Sequence, residues 1–214
     1  IHNRAHEIGR ALESVRTQAY PNLEIIVVDD SSDDDLKGAL APFRDMPLTL
    51  LHHDIRQGAG AARNTGIKTA RGHYIALLDS DDEWLPQKLN RQLAFMRSGN
   101  GETILLCSGY ILTCDVTGRQ ETRSPQSCAT HRRLLMGCDL SPGSTLFAER
   151  RVFDECGPFD EELERLEDWD WLLRYLRTNR VEITPEPLVR IHLSLRPPLE
   201  VVQDSTQHLF RKHR

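Results

Sequence analysis

The stretch Tyr74-Ile75-Ala76-Leu77-Leu78-Asp79-Ser80-Asp81-Asp82-Glu83-Trp84-Leu85-Pro86 changes character at its midpoint. Its opening residues, Tyr74 to Leu78, make an apolar run of the length expected for a strand buried on both faces. Four carboxylates follow, with one serine among them. A buried strand must end where the acids begin, so these side chains emerge together at its C-terminal tip, where open α/β sheets bind ligands. Massed carboxylates repel one another unless a cation sits among them, and oxygen-only ligands suit Mg²⁺ or Mn²⁺. The competing reading is a solvated acidic turn that caps the helix following Pro86. This stretch alone leaves both open.

Upstream, the chain alternates helix and strand. Ile8, Ala11, Leu12 and Val15 recur at helical spacing between His6 and Gln18. Tyr20-Pro21-Asn22 turns the chain into Leu23-Glu24-Ile25-Ile26-Val27-Val28, a β-branched strand that ends on a second acidic tip, Asp29-Asp30-Ser31-Ser32-Asp33-Asp34-Asp35. A short helix from Leu36 to Phe43 and a strand from Leu48 to His53 come next. Gly58-Ala59-Gly60-Ala61-Ala62-Arg63-Asn64-Thr65-Gly66 then opens a helix whose small residues allow close approach to a neighbour or a ligand. It matches no phosphate-loop fingerprint, and close packing against the sheet is the favoured reason for its composition. Pro86 suits the first turn of a helix that reaches Arg97. This alternation predicts a Rossmann-like, mostly parallel sheet flanked by helices.

The second half reads as mixed. Ile104 to Cys107, Tyr110 to Cys114 and Ser144 to Ala148 are expected strands, and Arg119 to Ser127 a polar loop. A helix is expected from Thr130 to Met136, Gly157-Pro158-Phe159-Asp160 marks a turn, and Leu166 to Leu176 forms the last strong helix. Leu188 to His192 is a short extended segment, and little order beyond a terminal helix is expected after Arg196-Pro197-Pro198.

The 214 residues suffice for one sizeable core, and 39% hydrophobic with 28% charged residues is ordinary for a globular domain. A net charge of −5 without a basic stripe excludes general nucleic-acid binding. Five cysteines, an odd number without CxxC spacing, indicate neither a disulfide framework nor a structural zinc site, which fits a reducing compartment. No apolar run approaches transmembrane length.

Taken together, these motifs resemble glycosyltransferase family two, inverting enzymes with the GT-A fold. The resemblance runs through Asn3-Arg4, Tyr20-Pro21-Asn22, Val27-Val28-Asp29-Asp30-Ser31-Ser32-Asp33, Ala61-Ala62-Arg63-Asn64-Thr65-Gly66, Leu78-Asp79-Ser80-Asp81-Asp82, Gly157-Pro158-Phe159-Asp160-Glu161 and Glu167-Asp168-Trp169-Asp170. It implies a metal-dependent transfer of sugar from a nucleoside-diphosphate sugar, expected to be a UDP-sugar, to a hydroxyl on a sugar or glycan acceptor. By the same resemblance, Asp168 is the general base and Asp81 the direct ligand of Mn²⁺ or Mg²⁺. Asp79 serves the ribose or the metal, and His2, Asp30, Arg63 and Ser80 bind the nucleotide, with an ion pair to nearby acids as an equal reading of Arg63. Glu167 and Trp171 sit on the acceptor side, with core packing the favoured reading of Trp171 and an exposed or ion-paired position the other reading of Glu167. His192 meets the diphosphate or the metal, with a structural role as its alternative. Asp82 is assigned to capping the helix after Pro86. Val189-Arg190-Ile191-His192 resembles a late Arg-x-His segment of the family.

These expectations describe one glycosyltransferase domain, with a nucleotide-binding half (1–99), an acceptor-binding half (100–192) and a tail (193–214). The family's first strand is expected upstream of Ile1. The setting is expected to be cell-surface polysaccharide synthesis in the cytoplasm, with peripheral association at the inner membrane face. The alternative function is a non-catalytic sugar-nucleotide or glycan-binding module, or an inactive truncated fragment. A receiver-type phosphoacceptor domain at Asp29-Asp30 lacks a matching lysine late in the sheet.

Overall fold

The computed structural model describes residues 1–98, 104–125, 128–193 and 199–213. The expected division at 99/100, the end of the polar stretch at 126–127 and Arg196-Pro197-Pro198 lie outside these residues. The first half runs α1 (Ala5–Arg16), β1 (Ile25–Asp29), α2 (Leu36–Leu40) with one 3₁₀ turn (Ala41–Phe43), β2 (Leu48–His52), α3 (Ala59–Thr69), β3 (Tyr74–Ala76), β4 (Glu83–Trp84) and α4 (Lys88–Ser98). The second runs β5 (Leu105–Cys114), β6 (Gln120–Arg123), β7 (Cys128–Ala129), α5 (His131–Leu135), α6 (Pro142–Thr145), β8 (Phe147–Glu149), α7 (Arg151–Cys156), α8 (Glu167–Tyr175), β9 (Val181–Leu193) and α9 (Leu199–Lys212).

β3 separates two cores, as its apolar run requires. Ile75 and Leu77 enter one cluster with Leu105, Leu146 and Trp171. Tyr74, Ala76 and Leu78 pack on the other face against a cluster holding Trp84, Leu93 and Phe147. The strand tip with its acids is therefore fixed from both sides.

The α/β class holds, and the strand pairing is more mixed than the alternation implied. β1 and β2 pair in parallel, and the backbone of Ile1 runs beside β1, its amino group donating to Val28 O (2.7 Å) and its carbonyl accepting from Asp30 N (2.8 Å). The larger sheet has the order β3-β8-β5-β9-β4, with β6 on β5 and β7 on β9. Within it only β5 and β9 run parallel among the described residues.

Five local expectations change, the first being that the short segment expected at Leu188 to His192 is part of the thirteen-residue strand β9. The two strands predicted around Ser108-Gly109 are one strand, β5, whose register with β9 shifts at those residues. A Cβ on Gly109 would meet Pro185 O at 2.5 Å and Arg123 O at 2.9 Å, and Pro185 and Pro187 bring no N–H to the ladder, so glycine and prolines mark an irregularity inside one strand. Within the stretch expected as a polar loop, β6 pairs with β5. Pro142 to Thr145 is a helical turn rather than the start of a strand. β4 intervenes before α4, so Pro86 precedes the helix instead of opening it.

α9 docks on α8 through a buried carboxylate. Asp170 is fully buried and accepts from Arg174 Nε (2.9 Å) and Lys212 Nζ (3.1 Å), while His213 Nε2 lies 2.8 Å from its other oxygen. Burial alone would raise the Asp170 carboxyl, but these three partners outweigh it and hold the group below its usual value. Among the described residues no helix is long and apolar enough to cross a membrane.

Asp170→Asn is expected to cost about 1–3 kcal/mol in denaturant unfolding, because it removes the buried carboxylate shared by Arg174, Lys212 and His213. The native carboxyl titrates below the unfolded value, so its contribution is present above about pH 3.9 and lost as pH falls through the native value. The stability gap between wild type and variant should therefore shrink below about pH 4.

Candidate active site

Three elements converge on the acidic tip after β3. Arg63 on α3 donates through Nη2 to Asp79 Oδ1 (2.6 Å) and through Nη1 to Glu167 at the start of α8. Burial opposes the guanidinium's charge, but Asp79, Glu167 and Asp168 raise its pKa and keep it cationic. α3 reaches this position because its small residues let it approach the turn before α8: a Cβ on Gly60 would stand 2.9 Å from Asp160 O. Asn64 clamps the same turn, donating to Phe159 O (3.0 Å) and accepting from Phe159 N (2.8 Å).

The helical turn α6 ties the acids to the base. Gly143 N donates to Asp168 Oδ2 (3.1 Å). Ser144 Oγ accepts from Asp79 N (3.0 Å) and donates to Asp82 Oδ2 (2.5 Å). A fully buried pair supports this turn from below, with Lys88 Nζ donating to Gln92 Oε1 (2.5 Å) and Gln92 Nε2 to Thr145 O (3.0 Å). Ser141 and Leu166, the residues just before α6 and α8, adopt left-handed backbone (φ 48° and 67°). Such conformations in non-glycine residues store of order 1–3 kcal/mol and cluster at functional sites.

Electrostatics separate the carboxylates. Burial pushes Asp168 above the usual carboxylate range, with Asp79 adding to the effect and Arg63 opposing it. Glu167 is raised chiefly by burial as well, yet it is held by Arg63. Asp82 is pushed up to about 8 by burial and by Asp79 and Asp81.

His2, Asp30, Arg63, Asp79, Asp81 and Asp168 all line one open cleft of about 1490 Å³, and Ser80, Glu167 and His192 face it too. His2 Nδ1 lies 2.9 Å from Asp30 O. Asp30 accepts from Gln57 N and Gly58 N (2.8 Å each) and lies 2.8 Å from His53 Nδ1, so it orders the loop leading into α3. Three partners on about four lone-pair positions leave room for one more donor.

The structural readings of Trp171, Glu167 and His192 hold over their acceptor and diphosphate readings, and the cap expected of Asp82 is not formed. Trp171 does not reach an acceptor: it is fully buried, stacked with Phe153, Phe159 and Tyr175, and donates to Gly157 O. Glu167 turns to Arg63 rather than to an open acceptor wall. His192 has both ring nitrogens engaged, at 2.6 Å from Asp115 and 2.7 Å from Glu83, which leaves none for a diphosphate. Asp82 caps no helix; its second oxygen accepts from His192 N (3.1 Å), because β4 and β9 pair beside it. Not foreseen from the sequence were Gly143, which had no expected role, Ser144, expected in a strand, and Arg4 and Arg10, which hold Asp81. The run Pro142-Gly143-Ser144-Thr145, small residues opened by proline, was the available signal for a turn.

The profile of "Glycosyl transferase family 2" matches residues 1–151. The chain belongs to that family. The Escherichia coli protein named UDP-Glc:alpha-D-GlcNAc-diphosphoundecaprenol beta-1,3-glucosyltransferase WfgD is 32% identical over 180 residues, covering 84% of this chain and 68% of its own length. The putative colanic acid biosynthesis glycosyl transferase WcaA of E. coli K12 is 35% identical over 179 residues, covering 80% of this chain and 62% of its own length. The crystal structure of S. aureus TarS 1-349 in complex with UDP-GlcNAc superposes with a TM-score of 0.79 at 22% identity, over 99% of this chain and 62% of that one. Its complex with UDP gives 0.77 at 22% identity, over 97% of this chain and 62% of that one. That likeness shows the fold, the GT-A arrangement. This family 2 domain thus spans roughly two thirds of the length of such relatives.

The donor set of this family 2 domain fits a hard divalent cation. Asp79 and Asp81 carry carboxylate oxygens on one loop, the donor type a hard cation takes, and beside them the Asp82 carboxyl is raised chiefly by burial, with Asp79 and Asp81 adding to it. Among the described residues, the group of three whose ligand atoms converge is elsewhere, at Asp160, Glu162 and His208, where Lys212 Nζ already sits 2.6 Å from Asp160. The Asp79–Asp81 loop therefore offers two carboxylates, which suits Mg²⁺ or Mn²⁺ completed by water and substrate phosphate.

A Cβ at position 143 would overlap Asp79 Oδ2 and stand 3.0 Å from Arg63 Nη2. Gly143→Ala is expected to lower stability by about 1–3 kcal/mol in denaturant unfolding, since the neighbours are themselves ion-paired.

Proposed function

We propose that this chain transfers a sugar from a nucleoside-diphosphate sugar, a UDP-sugar in the first instance, to an acceptor hydroxyl with inversion at the anomeric carbon. The observation that carries the reading is the Asp168 carboxylate, held by Gly143 N–H and facing the Asp79–Asp81 loop in one cleft. Family membership and the relatives' printed names support nucleotide-sugar chemistry. WfgD is named for a diphosphoundecaprenol-linked acceptor and WcaA for colanic acid biosynthesis, which supports a role in polysaccharide assembly on a lipid-linked acceptor.

In this reading Asp79 and Asp81 hold the divalent cation, whose chemistry is to neutralise charge developing on the departing diphosphate. Asp30 contributes its remaining lone pair to the base, and the His2 ring packs beside it. Ser80 lies in the same pocket. Arg63 fixes Asp79 and keeps Glu167 occupied, so Asp168 is the carboxylate left to act as base. The acceptor O–H gives its proton to Asp168 while its oxygen bonds to the anomeric carbon. The bond from that carbon to the diphosphate breaks on the opposite face, and its electron pair leaves with the diphosphate. A carboxyl raised by burial is a stronger base at neutral pH than an exposed aspartate.

Asp168→Asn is expected to reduce turnover by at least about 10²-fold while nucleotide binding persists, measured by donor consumption alongside calorimetry. The base works only when deprotonated, so wild-type kcat/KM should fall as pH drops through the raised Asp168 value. Donor turnover unchanged in Asp168→Asn would refute the assignment. Nucleotide binding without turnover by wild type, with acceptors tested, would favour a non-catalytic binding module.

A further inference from the structure

The three aspartates of the loop are held in different ways. Asp79 is clamped by Arg63, whose side chain is 13% exposed, and Asp82 by the Ser144 hydroxyl and His192 N–H. The Asp81 carboxylate pairs with Arg4, whose side chain is 36% exposed and lines the cleft. Arg10 holds the same residue differently, donating through Nη2 to the Asp81 carbonyl (2.7 Å). The loop backbone is thus fixed independently of Arg4. Nor does the Arg4 side chain cap α1: the first N–H of that helix, on Ala5, donates to Asp34 Oδ2 (2.7 Å). What the Arg4 guanidinium supplies is a single positive charge at Asp81, with Glu7 also 3.6 Å from the same nitrogen.

A cation that ligates Asp81 competes with that guanidinium for the same carboxylate. Arg63 is too buried to move aside, whereas Arg4 stands at the cleft wall on a long, half-solvated side chain. We propose that Arg4 is the exchangeable cation of this loop. It holds Asp81 until a divalent metal takes the carboxylate, and then turns its guanidinium to the diphosphate of the donor. The inference rests on the reading of Asp81 as a metal ligand. It adds a second role, in which one arginine both weakens metal binding without nucleotide and strengthens nucleotide binding with metal. Metal and nucleotide binding are thereby coupled, since each makes the other's site available. A guanidinium suits both partners, because its fork of donors matches carboxylate and phosphate alike.

The test is Mn²⁺ titration of the whole chain by electron paramagnetic resonance, without nucleotide, followed by UDP calorimetry at saturating Mn²⁺. Wild type, Arg4→Met, Arg4→Lys and Asp81→Ala are compared, with thermal melts as the folding control. Arg4→Met should bind Mn²⁺ several-fold more tightly than wild type, and UDP about tenfold more weakly, as expected for loss of a charge-assisted hydrogen bond. Arg4→Lys should keep Mn²⁺ affinity near wild type, because it retains the charge. Equal or weaker Mn²⁺ binding by folded Arg4→Met would overturn the exchange alone. Tighter Mn²⁺ with unchanged UDP affinity would overturn the diphosphate half. Mn²⁺ bound by Asp81→Ala as well as by wild type would instead remove the metal role of Asp81, and the inference with it.

Discussion

A guanidinium buried between carboxylates from opposite halves of the chain is the constraint on which the site depends. Arg63 comes from a helix of the first half, Asp79 from the strand tip that follows it, and Glu167 from the helix carrying the candidate base. Removing Arg63 would leave the buried Glu167 carboxylate without its partner, which costs far more than the pair gains over an apolar substitute. The arrangement therefore contributes little net stability and a great deal of registry. It sets the distance between the acids after β3 and the first turn of α8. The glycine and alanine residues of α3 are the sequence condition for that contact, since a larger residue at Gly60 would push the helix off the turn at Asp160.

α6 performs the complementary task with neutral groups. One serine hydroxyl joins Asp79 to Asp82, and one backbone N–H holds Asp168. The charged clamp and the neutral turn approach the loop from different directions, and both rest on the core beneath β8 and β5. On the far side of α8, Asp170 is fastened by α9. The helix bearing Asp168 is thus held from both ends of its first turns.

The parts of the fold legible in the sequence were those with strong local signals. Val27-Val28 and Ile75-Ala76 announced strands, the Ile8–Val15 spacing announced α1, and the two acidic tips announced a cleft that the structure does form. What stayed hidden depended on contacts across long sequence separations. Trp171 and Asp168 share a face by helical spacing, yet Phe153 and Phe159 enclose the indole while the carboxylate stays at the cleft. Asp82 looked like a cap because nothing nearby in sequence shows that β9 returns beside it. The Ser108-Gly109 break read as two strands, because a register shift and a chain end look alike until the partner strand is known.

Position 143 carries one more implication. A Cβ there would overlap Asp79 Oδ2, so under the proposed sugar transfer this stretch of wall is best left as bare backbone whatever the acceptor. Acceptor preference can then diverge only through the remaining walls, and laboratory evolution aimed at a new acceptor would do well to leave this turn untouched.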